Sequence, residues 1–113
     1  MTPRLTSRML VGALVRAAQA QGGTAMVLHR GEETAGTILV QLSDRGTNLG
    51  FAERMTGLSG VAELVPCGPA QSSQISEIQA YIERRTRADP DMWIVELDIA
   101  EGQQLAARIL CAG

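Results

Sequence analysis

Near the N-terminus the apolar residues Met9, Leu10, Ala13, Leu14 and Ala17 recur at three- and four-residue steps between Thr6 and about Ala20. That period predicts an amphipathic first helix, with Gly22-Gly23 as its stop. The pattern then shortens. Thr24 to Arg30 and Gly36 to Ser43 are apolar runs separated by the turn formers Gly31-Glu32-Glu33-Thr34-Ala35, and the second is rich in β-branched residues. Together they predict two strands of an antiparallel hairpin. Asp44-Arg45-Gly46 marks another turn, and Thr47 to Glu53 alternates, with Leu49 and Phe51 on one face, as a third strand.

Residues 55 to 73 lose regularity through Gly57, Gly60, Pro66, Gly68 and Pro69, leaving only Val61 to Val65 as a short strand inside a surface excursion. From Gln74 to Arg87 helical spacing returns with Ile75, Ile78 and Ile82. Ser73 is placed to cap the first turn, while Arg84, Arg85 and Arg87 crowd the end where the helix dipole is negative. Asp89-Pro90 ends this helix. Met92 to Ile99 then alternates, with Trp93, Val95, Leu97 and Ile99 on one face and Met92, Ile94, Glu96 and Asp98 on the other. After a turn at Ala100-Glu101-Gly102-Gln103, Leu105, Ala107, Ile109 and Cys111 repeat the alternation, predicting a last strand paired with the one before it; a short helix is the alternative. The expected fold is α+β, a single domain over residues 1–113 in the order α-β-β-β-(β)-α-β-β. Its sheet is expected to be mainly antiparallel, of about four to six strands, with two helices on one face and the other face partly apolar and open to a partner.

Composition narrows the chemistry. The chain has 113 residues, 45% hydrophobic and 19% charged, with a net charge of −2, as in soluble globular domains. All 10 basic residues are Arg, and there is 1 His and 2 Cys. The lack of Lys excludes Schiff-base catalysis and the P-loop, and the His and Cys count excludes zinc sites built from several such ligands. A small negative charge argues against capture of nucleic acid or an anionic membrane, and Phe51, Tyr81 and Trp93 are the only aromatics on which single strands would stack. Cys67 and Cys111 stand in unrelated contexts, without the repeated spacings of secreted disulfide frameworks, and predict reduced thiols in a cytoplasmic protein. Arg4 and Arg8 before the apolar run from Met9 to Val15 imitate a secretory signal, but Arg16 ends that run too early. No stretch approaches the roughly 20 apolar residues of a membrane span.

Three marks carry a family resemblance: an Arg-bearing first helix, the turn His29-Arg30-Gly31-Glu32 followed by Ala35-Gly36, and the run Asp89-Pro90-Asp91-Met92-Trp93-Ile94-Val95-Glu96. With the order helix, three strands, helix, strand, they make the chain similar, over nearly its whole length, to the family called domain of unknown function 1491. Met92 stands where that family tends to carry another apolar residue. The resemblance implies a bacterial cytosolic protein of a family without an assigned activity, so it supports the fold and leaves the function open. The same element order also occurs in restriction-endonuclease-like nucleases, whose acid-x-Lys motif this chain lacks.

The candidate binding residues are Arg30, Asp89, Asp91, Trp93 and Glu96. The carboxylates of Asp89, Asp91 and Glu96 are of the type that gathers round a divalent cation, and Arg30 or an Arg of residues 84 to 87 is of the type that holds an anion. That set defines one alternative, a small metal-dependent hydrolase or anion-binding enzyme. Plainer roles account for the same residues: Asp-Pro-Asp is a helix exit whose side chains accept backbone hydrogen bonds, Glu96 lies on the polar face of a strand, and Trp93 heads an apolar face as a core anchor. His29 with Cys67 or Cys111 has the elements of a dyad, but no spacing unites them. No metal and no cofactor are expected. The favoured expectation is a non-catalytic protein-interaction module acting as a homodimer, motivated by apolar residues on both faces of two strands, Leu39 beside Val40 and Ile94 beside Val95.

Overall fold

The structure, a computed structural model, describes residues 5–71 and 73–111. Its elements run α1 (Ser7–Ala20), β1 (Thr24–His29), β2 (Ile38–Asp44), β3 (Thr47–Thr56), β4 (Ala62–Cys67), α2 (Ile75–Ala88), β5 (Trp93–Asp98) and α3 (Gly102–Leu110). The fold is α+β, as expected. Its five-stranded sheet has the order β1-β5-β2-β3-β4 and is antiparallel at every pairing except β2–β5, which is parallel.

The expected hairpin of the first two strands does not form, because β5 lies between β1 and β2. The cause is two-sided hydrophobicity. Ile38, Leu39 and Val40 of β2 and Trp93, Ile94, Val95 and Leu97 of β5 are all buried. Strands that are apolar on both faces belong at the centre of a sheet, and two of them side by side bury most. Thr24–His29, mostly exposed, is left at the edge.

The helices divide between the faces, which corrects the expectation of two on one side. Leu10, Val11, Leu14 and Ala18 of α1, together with Leu105, Ala106 and Leu110 of α3, pack on Ile38, Val40, Leu42, Trp93, Val95 and Leu97. On the opposite face Ile78 and Tyr81 of α2 meet Leu39, Phe51, Met92 and Ile94. A fully buried residue such as Leu14 contributes about 1.5–3 kcal/mol. The side chains opposite one another on the central strands, Leu39 beside Val40 and Ile94 beside Val95, are thus covered by the chain's own helices.

Residues 102–110 form a helix where the last strand was expected. Both flanks of β5 are already paired, and Gln103 to Ile109 are mostly good helix formers, so packing and propensity agree. The excursion at residues 55 to 73 contains the full strand β4, and β3 continues to Thr56 to pair with it. Thr6 caps α1, its hydroxyl accepting from the Met9 N–H at 3.2 Å. Ser73 does not cap α2: Gln74 occupies that position without a side-chain hydrogen bond. Arg4 lies outside the described residues. Among the described residues, no helix is long and apolar enough to cross a membrane.

Candidate functional site

The residues that carried the family resemblance meet at one corner of the molecule. Between β1 and β2 the chain runs as a strap over residues 30–37, and the strap is tied to the start of β5. The Glu32 N–H donates to the Asp91 carbonyl at 2.8 Å, the Trp93 N–H donates to the Thr37 carbonyl at 2.7 Å, and the Trp93 indole Nε1–H donates to the Glu32 carbonyl at 2.7 Å. Gly31 and Gly36 allow this approach, since a Cβ on either would collide with the Asp91 carbonyl oxygen. The Glu32 carboxylate closes the strap on itself, accepting from the Thr34 and Ala35 N–H groups at 2.6 and 2.7 Å.

The strap also holds the first turn of α1. The Ser7 hydroxyl donates to the Gly36 carbonyl at 2.6 Å, and the Ser7 and Arg8 N–H groups donate to the Thr34 and Glu33 carbonyls at 3.0 and 2.9 Å. Orphan N–H groups of a helix start are thereby satisfied without a ligand. His29 Nδ1 donates to the Met92 carbonyl at 2.7 Å, since a carbonyl can only accept; this fixes the ring beside the same corner.

Three of the five candidate residues come together here. Trp93 is buried, Arg30 lies over its indole ring with 5.9 Å from guanidinium carbon to ring centroid, and the Asp91 backbone is the acceptor at the centre of the knot. Asp89 is the neighbouring turn residue: its carboxylate accepts the Asp91 N–H at 3.1 Å and its carbonyl accepts the Met92 N–H at 3.2 Å. Glu96 stands apart, mid-strand on β5 between Met26 of β1 and Gln41 of β2. No group of three or more His, Cys, Asp or Glu side chains placed to hold a metal ion occurs among the described residues. His29, Cys67 and Cys111 are likewise dispersed, with Cys67 packed in the α2 layer and Cys111 against the α1–α3 layer.

A second polar cluster had no simple mark in the sequence. Arg85 of α2 donates to the Glu53 carboxylate of β3 at 2.5 Å and to the Tyr81 hydroxyl at 2.6 Å, and that hydroxyl donates to Cys67 Sγ at 3.5 Å. Arg84 and Arg85 both lie 5.6 Å from the centre of the Tyr81 ring, and Phe51 meets that ring edge-on at 4.9 Å. Burial opposes the charge on Arg85, but the Glu53 and Tyr81 partners outweigh it and hold the guanidinium above its ordinary value. Burial, with the Cys67 contact, pushes the Tyr81 hydroxyl up against the opposing pull of Arg85. Glu53 and Arg85 are 32 positions apart, and only the crossover through α2 brings them together.

Asp98 was also unmarked. Its carboxylate accepts the Arg45 and Gly46 N–H groups at 2.7 and 2.9 Å, at a tight turn where both residues have positive φ, 51° and 80°. Two surface depressions, of about 560 Å³ beside Glu101 and Leu49 and about 540 Å³ beside Tyr81 and Arg84, are lined by none of the five candidate residues.

An α+β sheet with α1 and α3 on one face and α2 on the other, locked by a strap against the start of β5, defines the architecture. The chain belongs to the family described as "Protein of unknown function (DUF1491)", whose model matches residues 5–107. It is similar to a DUF1491 family protein from Caulobacter crescentus CB15 in two structures. The crystal structure is 29% identical with a TM-score of 0.78, over 90% of this chain and 94% of that one. The NMR structure is 32% identical with a TM-score of 0.75, over 92% and 94%. A solution structure of a protein from A. tumefaciens is 29% identical with a TM-score of 0.69, over 96% and 93%. No curated protein matches the chain.

Proposed function

We propose that this chain is a non-catalytic, cytoplasmic protein-interaction module that acts as a homodimer. The observation that carries this reading is a run of three exposed apolar side chains on the edge strand β1: Met26, Val27 and Leu28 are 61%, 40% and 40% exposed. Apolar side chains exposed along an edge strand are of the kind that contact another protein. The polar residues that invited a catalytic reading have internal work instead. Asp89 serves its own turn, and His29 is held on a backbone carbonyl.

The test is light scattering coupled to gel filtration across a concentration series. A mass of two chains at high concentration that falls towards one on dilution is expected. A single-chain mass at every concentration would remove the homodimer.

A further inference from the structure

The two edges of the sheet are built differently. β4 carries Glu63 and Pro66, a charge and a residue that cannot donate to a ladder, both of which guard a free edge against pairing. β1, at the opposite edge, reads Thr-Ala-Met-Val-Leu-His and has neither. Its pairing with β5 is regular from Thr24 to Val27, and the irregularity between Val27 and His29 falls at its far end. One edge is defended and the other is left open.

We propose that β1 pairs antiparallel with β1 of a second copy, joining two five-stranded sheets into one of ten; this rests on the homodimer reading above. Self-pairing about a two-fold axis needs one strip that complements itself, and β1 meets the requirement in two ways. Its centre is uncharged, so no like charges face each other there. Its two halves differ in charge: Arg30 follows the C-terminal end, while Glu96 of β5 lies beside Met26 in the N-terminal half. Antiparallel pairing brings the basic end of each copy to the acidic half of the other. A parallel arrangement would set Arg30 against Arg30.

Among the described residues the only side-chain ion pair is Arg85 with Glu53; Asp98 is taken up by the Arg45 and Gly46 N–H groups, so Glu96 and the exposed Arg30, whose guanidinium lies over Trp93, are the charges that can meet across such a contact. A pairing segment this short places the interface at the small end of specific contacts, and the dimer dissociates reversibly on dilution.

Sedimentation equilibrium and amide hydrogen exchange on the unmodified chain test the proposal together. Exchange at residues 24–29 is expected to slow as the protein concentration rises through the monomer–dimer transition. Met26→Lys, at a side chain already in solvent, is expected to raise the dissociation constant at least about tenfold by placing like charges across the two-fold, while Met26→Leu leaves it unchanged. A dimer whose residues 24–29 exchange at the same rate at all concentrations, or that is indifferent to Met26→Lys, overturns the β1 interface and leaves the homodimer standing. A strict monomer removes both. Should Met26→Lys fail to fold, the exchange measurement decides alone.

Discussion

Gly31 shows how much one atom decides in this protein. The strap crosses the Asp91 carbonyl so closely that the Glu32 N–H and the Trp93 indole both find partners, and a Cβ on Gly31 would enter that space. Gly31→Ala is expected to cost about 1–3 kcal/mol, because backbone atoms rather than a flexible side chain must move. A shift in the urea midpoint measures it, and an unchanged midpoint would show that the strap yields freely. Cys111 offers a residue-scale test by pH. Burial and the nearby Glu63 hold its thiol above the ordinary value of 9.0, against the pull of Arg54. The folded chain therefore keeps a proton that the unfolded chain releases, so stability is full below about pH 9 and falls as pH rises through and beyond it. Tyr81, raised above 10.0, adds a loss of the same sign at higher pH. Urea midpoints between pH 7 and 10.5 are expected to fall more steeply in the unmodified chain than in Cys111→Ala, and equal slopes would contradict the assignment. At this scale the sequence was informative about Trp93 and the Asp89 turn, whose roles depend on strand parity or on immediate neighbours, whereas the cap at Thr6 carried no expectation and the one expected at Ser73 does not form. It was silent about Asp98, whose hydrogen bonds reach a turn more than fifty positions away.

Among the elements, α2 is the one most dependent on a single polar contact. Only Ile78 and Tyr81 of its buried residues face the sheet, and the pair Arg85–Glu53 ties its C-terminal half to β3. Both side chains are largely shielded, 25% and 20% exposed, so the pair is worth more than one in open solvent. A double-mutant cycle of Arg85→Met and Glu53→Gln is expected to give a coupling of about 1 kcal/mol in favour of the native pair. A coupling indistinguishable from zero would leave α2 held by its apolar residues alone. The two long helices and the strands β2, β3 and β5 were legible because their periods are long and unambiguous. The final helix was not, since Leu105, Ala107 and Ile109 satisfy a strand period while Leu105, Ala106 and Leu110 are the residues that the helix buries. Local pattern allows both, and the occupied flanks of β5 leave room for one.

For the whole molecule, the order of strands follows from which of them are apolar on both faces. That property is visible in Leu39, Val40, Ile94 and Val95, where the sequence pattern alone suggests surface open to a partner. The structure covers those side chains with α1 and α3 on one face and α2 on the other, and the exposed apolar residues appear instead along the edge at Met26, Val27 and Leu28. The question of partners thus moves from a face to an edge. The candidates Arg30, Asp91 and Trp93 lie together as parts of an internal lock, with Asp89 beside them and Glu96 well along the strand. What the sequence determined by itself was the α+β class, most of the elements and the turn at Asp89, because periodicity and turn chemistry act over a few residues. The tertiary structure alone decided the insertion of β5 between β1 and β2, the face each helix covers, the Arg85–Glu53 tie and the open β1 edge. Each of those depends on which distant segments bury the most apolar surface together, a competition that no local pattern records.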